Sequence, residues 1–136
     1  MSRSGYSDDY SEGDAPPFLW RQSVENAING KRGQLMLRDL LAALDAMPNK
    51  RLIAEDLIRD GEVCAIGALG VVRGIDLQKL DPERPGLIAK SFGIAEALVR
   101  EIEFYNDEFG APETPEQRWE RMRHWVASQI KSESVA

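Results

Sequence analysis

A chain of 136 residues, 43% hydrophobic and 29% charged, is long enough to bury one globular core. Its formal net charge of -6 and pI near 4.9 disfavour broad attraction to nucleic-acid phosphates. No apolar run approaches the roughly 18 to 20 residues of a membrane span, residues 1–9 lack an apolar signal segment, and a single cysteine, Cys64, excludes an internal disulfide; a cytoplasmic protein is expected.

Residues 1–16 set Asp8, Asp9, Glu12 and Asp14 against Arg3 among Ser, Gly and Tyr, a composition that predicts a disordered acidic tail. The ordered domain is expected over 17–131, with 132–136 disordered again. Pro17 suits a first helical turn, and Phe18, Leu19, Trp20, Val24, Ala27 and Ile28 give a partly amphipathic segment ending at Asn29-Gly30. A second helix is expected from near Gly33 to Met47, where Leu37, Leu40, Leu41, Leu44 and Met47 share one face before Pro48. Residues 51–60 admit two readings. One is a hairpin turning at Asp60-Gly61, with Arg51–Ala54 and Glu62–Ala65 as arms; the other is helix continued to Asp60. Val63 to Val72 is apolar on every side, rich in Ala and Gly, and predicts a helix buried all round, closed by Gly74.

After a loop over 76–85, helices are expected over Leu87–Phe92 and Ile94–Tyr105 with Gly93 between them. Thr114, Pro115 and Gln117 have the spacing of a capping box that opens a last helix, with Trp119, Met122, Val126 and Ile130 as its apolar stripe. The expected fold is therefore a mainly α, compact domain of five or six helices, with room for one small hairpin near 51–65.

Cys64, His124 and Asp107 are the catalytic candidates: a thiol at a helix start, a base and an orienting carboxylate beside Asn106. At about 100° per residue, however, His124 lies about 140° from Trp119, on the polar face of the last helix. A packed structural thiol and no enzyme are the expectation. Ala89, Gly93 and Val99 have helix-turn-helix spacing, but the second helix would expose Glu96, Glu101 and Glu103, which phosphates repel. Gly30-Lys31-Arg32-Gly33 lacks the Walker spacing, Asn106-Asp107-Glu108 lacks that of a calcium loop, and one Cys with one His makes no zinc pattern. No cofactor or metal is expected. Trp125, flanking the last stripe beside Arg118 and Arg121, combines residue types enriched at binding hot spots, and these three are the candidate binding residues; packing of Trp125 under the first helix is the alternative, and the more ordinary one.

Three stretches occur together: Gly61-Glu62-Val63-Cys64-Ala65-Ile66-Gly67-Ala68-Leu69-Gly70; Phe92-Gly93-Ile94-Ala95 leading to Tyr105-Asn106-Asp107; and Glu113-Thr114-Pro115-Glu116-Gln117-Arg118-Trp119 with Trp125-Val126. In this order they resemble a family of small tailed-phage and prophage hypothetical proteins, over most of residues 17–130. The Cys-Ala-x-Gly-Ala-Leu and Asn-Asp pieces are also similar to a wider uncharacterised bacterial family. The resemblance implies a setting, a phage accessory protein in a bacterial cytoplasm, and carries over no activity. The leading expectation is a non-enzymatic module that binds a host or viral protein. The alternatives are a helix-turn-helix DNA-binding regulator using residues 87–102, and a small Cys-dependent enzyme or ligand-binding protein built on Cys64 and Asn106-Asp107.

Overall fold

A computed structural model describes Arg3 and residues 17–108 and 112–131; the expected tail, apart from Arg3, and the expected disordered C-terminus lie outside the described residues. The domain is mainly α. Six α-helices run in the order α1 (Pro17–Asn29), α2 (Lys31–Ala46), α3 (Ala65–Arg73), α4 (Pro85–Phe92), α5 (Glu96–Asp107) and α6 (Pro115–Gln129) among the described residues. A two-residue antiparallel hairpin, β1 (Ile58–Arg59) and β2 (Glu62–Val63), sits between α2 and α3. No described helix is long and apolar enough to cross a membrane.

The secure periodicities become the core. Leu37, Leu40 and Leu44 of α2 are fully buried, and each such side chain contributes about 1.5–3 kcal/mol relative to exposure. That face packs α2 against α1, α3 and α6, while α5 packs against α1, α3, α4 and α6. Gly33 sets the α1–α2 approach: a Cβ there would lie 1.8 Å from the Ala27 carbonyl oxygen. α2 therefore begins at Lys31, one residue after the Gly30 cap, rather than near Gly33.

The 51–65 region resolves as a hairpin with shifted arms. Asp60 and Gly61 both have positive φ, 53° and 79°, as a primed two-residue turn requires. Ile58 pairs with Val63 and Arg59 with Glu62, so the first arm is not Arg51–Ala54. That earlier segment instead flanks the second arm, with the Ile53 amide donating to the Val63 carbonyl at 2.9 Å. No helix forms over 51–57, a stretch tied down by the Leu52 amide on the Pro115 carbonyl and the Cys64 amide on the Leu57 carbonyl.

Residues 63–70 are all buried, as the apolar run predicts, but Val71 and Val72 are 60% and 65% exposed. α3 outgrows the core by one turn. Gly74, with φ 71°, closes it with its amide on the Gly70 and Val71 carbonyls. The following loop holds one 3-10 turn, Leu77–Lys79, capped by Asp76. α5 begins at Glu96 and ends at Asp107, two residues later than expected at each end, so Asn106 and Asp107 form its last turn. The Thr114 capping box is present as read, with both reciprocal hydrogen bonds. On α6 the buried residues are Met122, Trp125 and Val126, whereas Trp119 and Ile130 are only partly covered.

Candidate functional site

Three pieces of chain meet at one buried polar point: the start of α3, the last turns of α5, and the loop over 53–57. Cys64 is the N-cap of α3, fully buried, and its Sγ accepts from the Gly67 amide at 3.3 Å. The close dock of α3 on the loop depends on Gly67, where a Cβ would stand 2.1 Å from the Leu57 carbonyl oxygen.

Asn106 joins the three pieces. Its Oδ1 accepts from the Ala65 amide at 3.1 Å, and its Nδ2 donates to the Ile53 carbonyl at 2.9 Å and to Asp107 Oδ1 at 2.8 Å. Asp107 Oδ1 also accepts from the Glu55 amide at 3.0 Å. Glu55 has φ 70°, a conformation that costs a non-glycine residue about 1–3 kcal/mol and that here aims its N–H at the carboxylate.

Into this point projects Arg3. Its Nε donates to Asp107 Oδ2 at 2.6 Å, its Nη2 to Asp107 Oδ1 at 2.9 Å, and its Nη1 lies 3.6 Å from Cys64 Sγ. This is the two-toothed arginine–carboxylate fork, with the side chain 1% exposed. Burial alone would lower the Arg3 pKa; the neighbouring Cys64, Asp107 and Glu103 outweigh it and hold the guanidinium above its ordinary value. Glu103, one turn before Asp107 on α5, is fully buried with its Oε2 3.6 Å from Arg3 Nε. Neither Glu103 oxygen accepts a hydrogen bond among the described residues. Burial pushes its pKa up to about 8; Asp107 adds to the rise, while Arg3 and Arg100 oppose it.

The catalytic candidates are thus divided. Cys64 and Asp107 belong to one cage, but His124 is exposed on α6, away from the face that carries Met122, Trp125 and Val126 into the core. A guanidinium, rather than a base, lies against the thiol. Among the described residues no three His, Cys, Asp or Glu side chains are arranged to hold a metal ion. In Asn106-Asp107-Glu108 the first two side chains are bonded into the fold.

The candidate binding residues face inward. Trp125 is 8% exposed and stacks on Tyr105 with ring centroids 4.4 Å apart, a packed position rather than a partly exposed one, with α5 as its partner. Arg118 donates to the Asn106 and Leu52 carbonyls, and Arg121 to the Tyr105 and Asn106 carbonyls and the Glu113 carboxylate. These side chains cap α5 from behind the cage.

The corner between α4 and α5 turns at Gly93. Gly93 has φ 70°, and Ala89 and Val99 are buried. α5 packs against α1, α3, α4 and α6. Glu101 and Glu103, expected on its surface, are 2% and 0% exposed, and Glu101 is held by Arg21 of α1 at 2.7 Å. The Gly30–Gly33 segment keeps Lys31 and Arg32 exposed beside a Gly33 packed on α1. A separate groove of about 300 Å³ opens between the C-terminal parts of α2 and α3, lined by Ala43, Met47, Pro48, Val63, Val71 and Val72 among others.

Sequence reasoning missed Arg3, Glu55 and Glu103. Two signals were available: Arg3 is the single base in an acidic segment, and Glu103 and Asp107 stand at i, i+4 on one helix face. In comparisons with known proteins, no family model, no curated protein and no solved structure matches this chain.

Proposed function

We propose that this chain is a non-enzymatic protein-binding module, an accessory protein of a tailed phage or prophage that acts on a host or viral protein in the bacterial cytoplasm. The setting rests on the resemblance of the Cys64, Asn106-Asp107 and Thr114–Trp119 stretches to small phage proteins. The binding reading rests on one observation: the cage at Cys64, Glu103 and Asp107 holds a side chain carried by polypeptide, Arg3, as a receptor holds a ligand. A nucleophilic site would need a base against the thiol and room for substrate. Cys64 instead is fully buried, and its Sγ meets the Arg3 guanidinium and the Gly67 amide.

The test is recovery from a lysate of phage-infected bacteria on immobilised full-length protein. Wild type or Arg3→Ala is expected to retain a stoichiometric partner that Asp107→Asn loses. Failure of every form to retain one would overturn the binding reading, as would turnover of a substrate that depends on Cys64.

A further inference from the structure

The cage is assembled independently of the residue that fills it. Asp107 is oriented by the Glu55 amide and the Asn106 side chain, and Cys64 Sγ by the Gly67 amide. None of those bonds involves Arg3. Groups fixed in this way do not have to be ordered when a ligand arrives, which favours binding. Arg3 itself lies outside α1–α6, β1 and β2, the helices and strands of the described residues. Its withdrawal removes no residue of α1–α6, β1 or β2 and uncovers the Asp107 carboxylate beside the buried Glu103 side chain.

An emptied cage therefore calls for a cation, and its geometry selects which. Asp107 presents both oxygens side by side to Nε and Nη2, the spacing of a planar guanidinium fork. A lysine ammonium is a point charge and fills one tooth of that fork. Glu103 adds two buried oxygens that accept no hydrogen bond from Arg3, whose Nε stands 3.6 Å away. Arg3 thus leaves acceptor capacity unused, and an arginine entering along another path could pair with it.

We propose that the Cys64–Glu103–Asp107 cage is a guanidinium-selective receptor that accepts an arginine side chain from a second polypeptide in exchange for Arg3. This deepens, and rests on, the protein-binding reading above. Arg3 is the resident competitor, and the partner is a segment bearing an accessible arginine. The partner has to displace a side chain already seated, so its arginine competes with a tethered one.

The experiment uses full-length protein as wild type and as Arg3→Ala. Each is titrated with arginine amide, with lysine amide, and with a synthetic peptide of residues 1–16 or the same peptide carrying Arg3→Ala. Binding is followed by calorimetry and by the backbone amide shifts of Glu55 and Ala65. Arginine amide is expected to saturate the Arg3→Ala protein at least tenfold more tightly than lysine amide does, and at least tenfold more tightly than it saturates wild type. The peptide should bind the Arg3→Ala protein only when it keeps its arginine, and Asp107→Asn in that background should abolish both. Equal binding of the two amides, or equal affinity of wild type and Arg3→Ala for arginine amide, overturns the proposal. Binding of both peptides alike overturns guanidinium selectivity while leaving a protein-binding module; binding of neither, with no partner in the lysate test, removes both. Should Arg3→Ala fail to fold, adding Glu103→Gln removes the unpaired carboxylate and keeps the Asp107 fork for the same titration.

Discussion

The last turn of α5 has arginines on both sides, and the two sides differ in one respect. Behind it, Arg118 and Arg121 are spread over the Asn106, Tyr105 and Leu52 carbonyls and the Glu113 carboxylate, and every group there has a partner. In front of it, Arg3 is forked onto Asp107, but Glu103 beside it is buried with no hydrogen bond among the described residues. The rear cluster is what a helix C-terminus asks for, cations on its last carbonyls. The front cluster buries a second acidic side chain, Glu103, 3.6 Å from Arg3 Nε. Full satisfaction marks a structural network, whereas a buried group left short of partners marks a place kept for something else.

Breaking the residue common to both sides should have the largest effect. Asn106→Ala would leave the Ala65 amide and the Ile53 carbonyl buried and unpaired and free Asp107 from one of its supports. At about 1–3 kcal/mol per orphaned group, a loss of roughly 2–5 kcal/mol is expected in urea unfolding. A loss below about 1 kcal/mol would show that the three pieces are not joined through this side chain.

Glu103→Gln separates the two sides by pH. Its folded pKa of about 8 stands above the ordinary 4.5, so the folded state binds the proton more tightly than the unfolded chain does. Stability from this residue is then fully present below about 4.5 and is lost as pH rises through about 8. The amide copies the protonated acid and should remove that loss. The variant is expected to match wild type near pH 5 and to exceed it by on the order of 1–3 kcal/mol at pH 9, with Arg3 offsetting part of the wild-type penalty. A variant less stable than wild type at pH 9 would mean that the ionised Glu103–Arg3 pair is a net support of the fold.

These expectations rest on contacts that differ in how far they were legible in the sequence. Where spacing along one element decides, the reading held: the Leu37–Leu40–Leu44 face, the Thr114 capping box and the Asp60-Gly61 turn all appear. Where the partner decides, it did not. A helical wheel gives the period of α6 but not its phase, and stacking on Tyr105 turned Trp125 inward while Trp119 stayed half-covered. Val71 and Val72 read as core because they continue an apolar run, yet no element of the described residues covers the last turn of α3. Cys64, Asn106 and Asp107 were each singled out, but their union depends on Asn106 bonding the Ala65 amide and the Ile53 carbonyl across the chain, and Arg3, which fills the cage, has no periodicity to place it. Glu103 read as a solvated charge because a buried carboxylate carries no local mark.

On the rear side, Arg121→Ala should remove donors to the Tyr105 and Asn106 carbonyls and to Glu113, costing about 1–3 kcal/mol in urea unfolding. Its value lies in the contrast: in the Arg3→Ala background it should leave arginine-amide affinity within about twofold. A larger change would tie the two sides into one network.

The smallest effect is expected at His124, the base that a thiol enzyme would have used. It is exposed on α6, outside both clusters, and exposed positions of this kind change stability by about ±0.5 kcal/mol or less. His124→Ala should therefore leave urea unfolding unchanged within that margin and leave binding of the 1–16 peptide to the Arg3→Ala protein as it was. Cys64→Ser in the same assay should weaken that binding only modestly, because Sγ meets Arg3 Nη1 at 3.6 Å while the Asp107 fork closes at 2.6 and 2.9 Å. If either change abolished the binding that Asp107→Asn is expected to abolish, the thiol or the histidine would share the work assigned here to the carboxylate. The front of α5 would then have to be read as a reactive centre rather than a receptor.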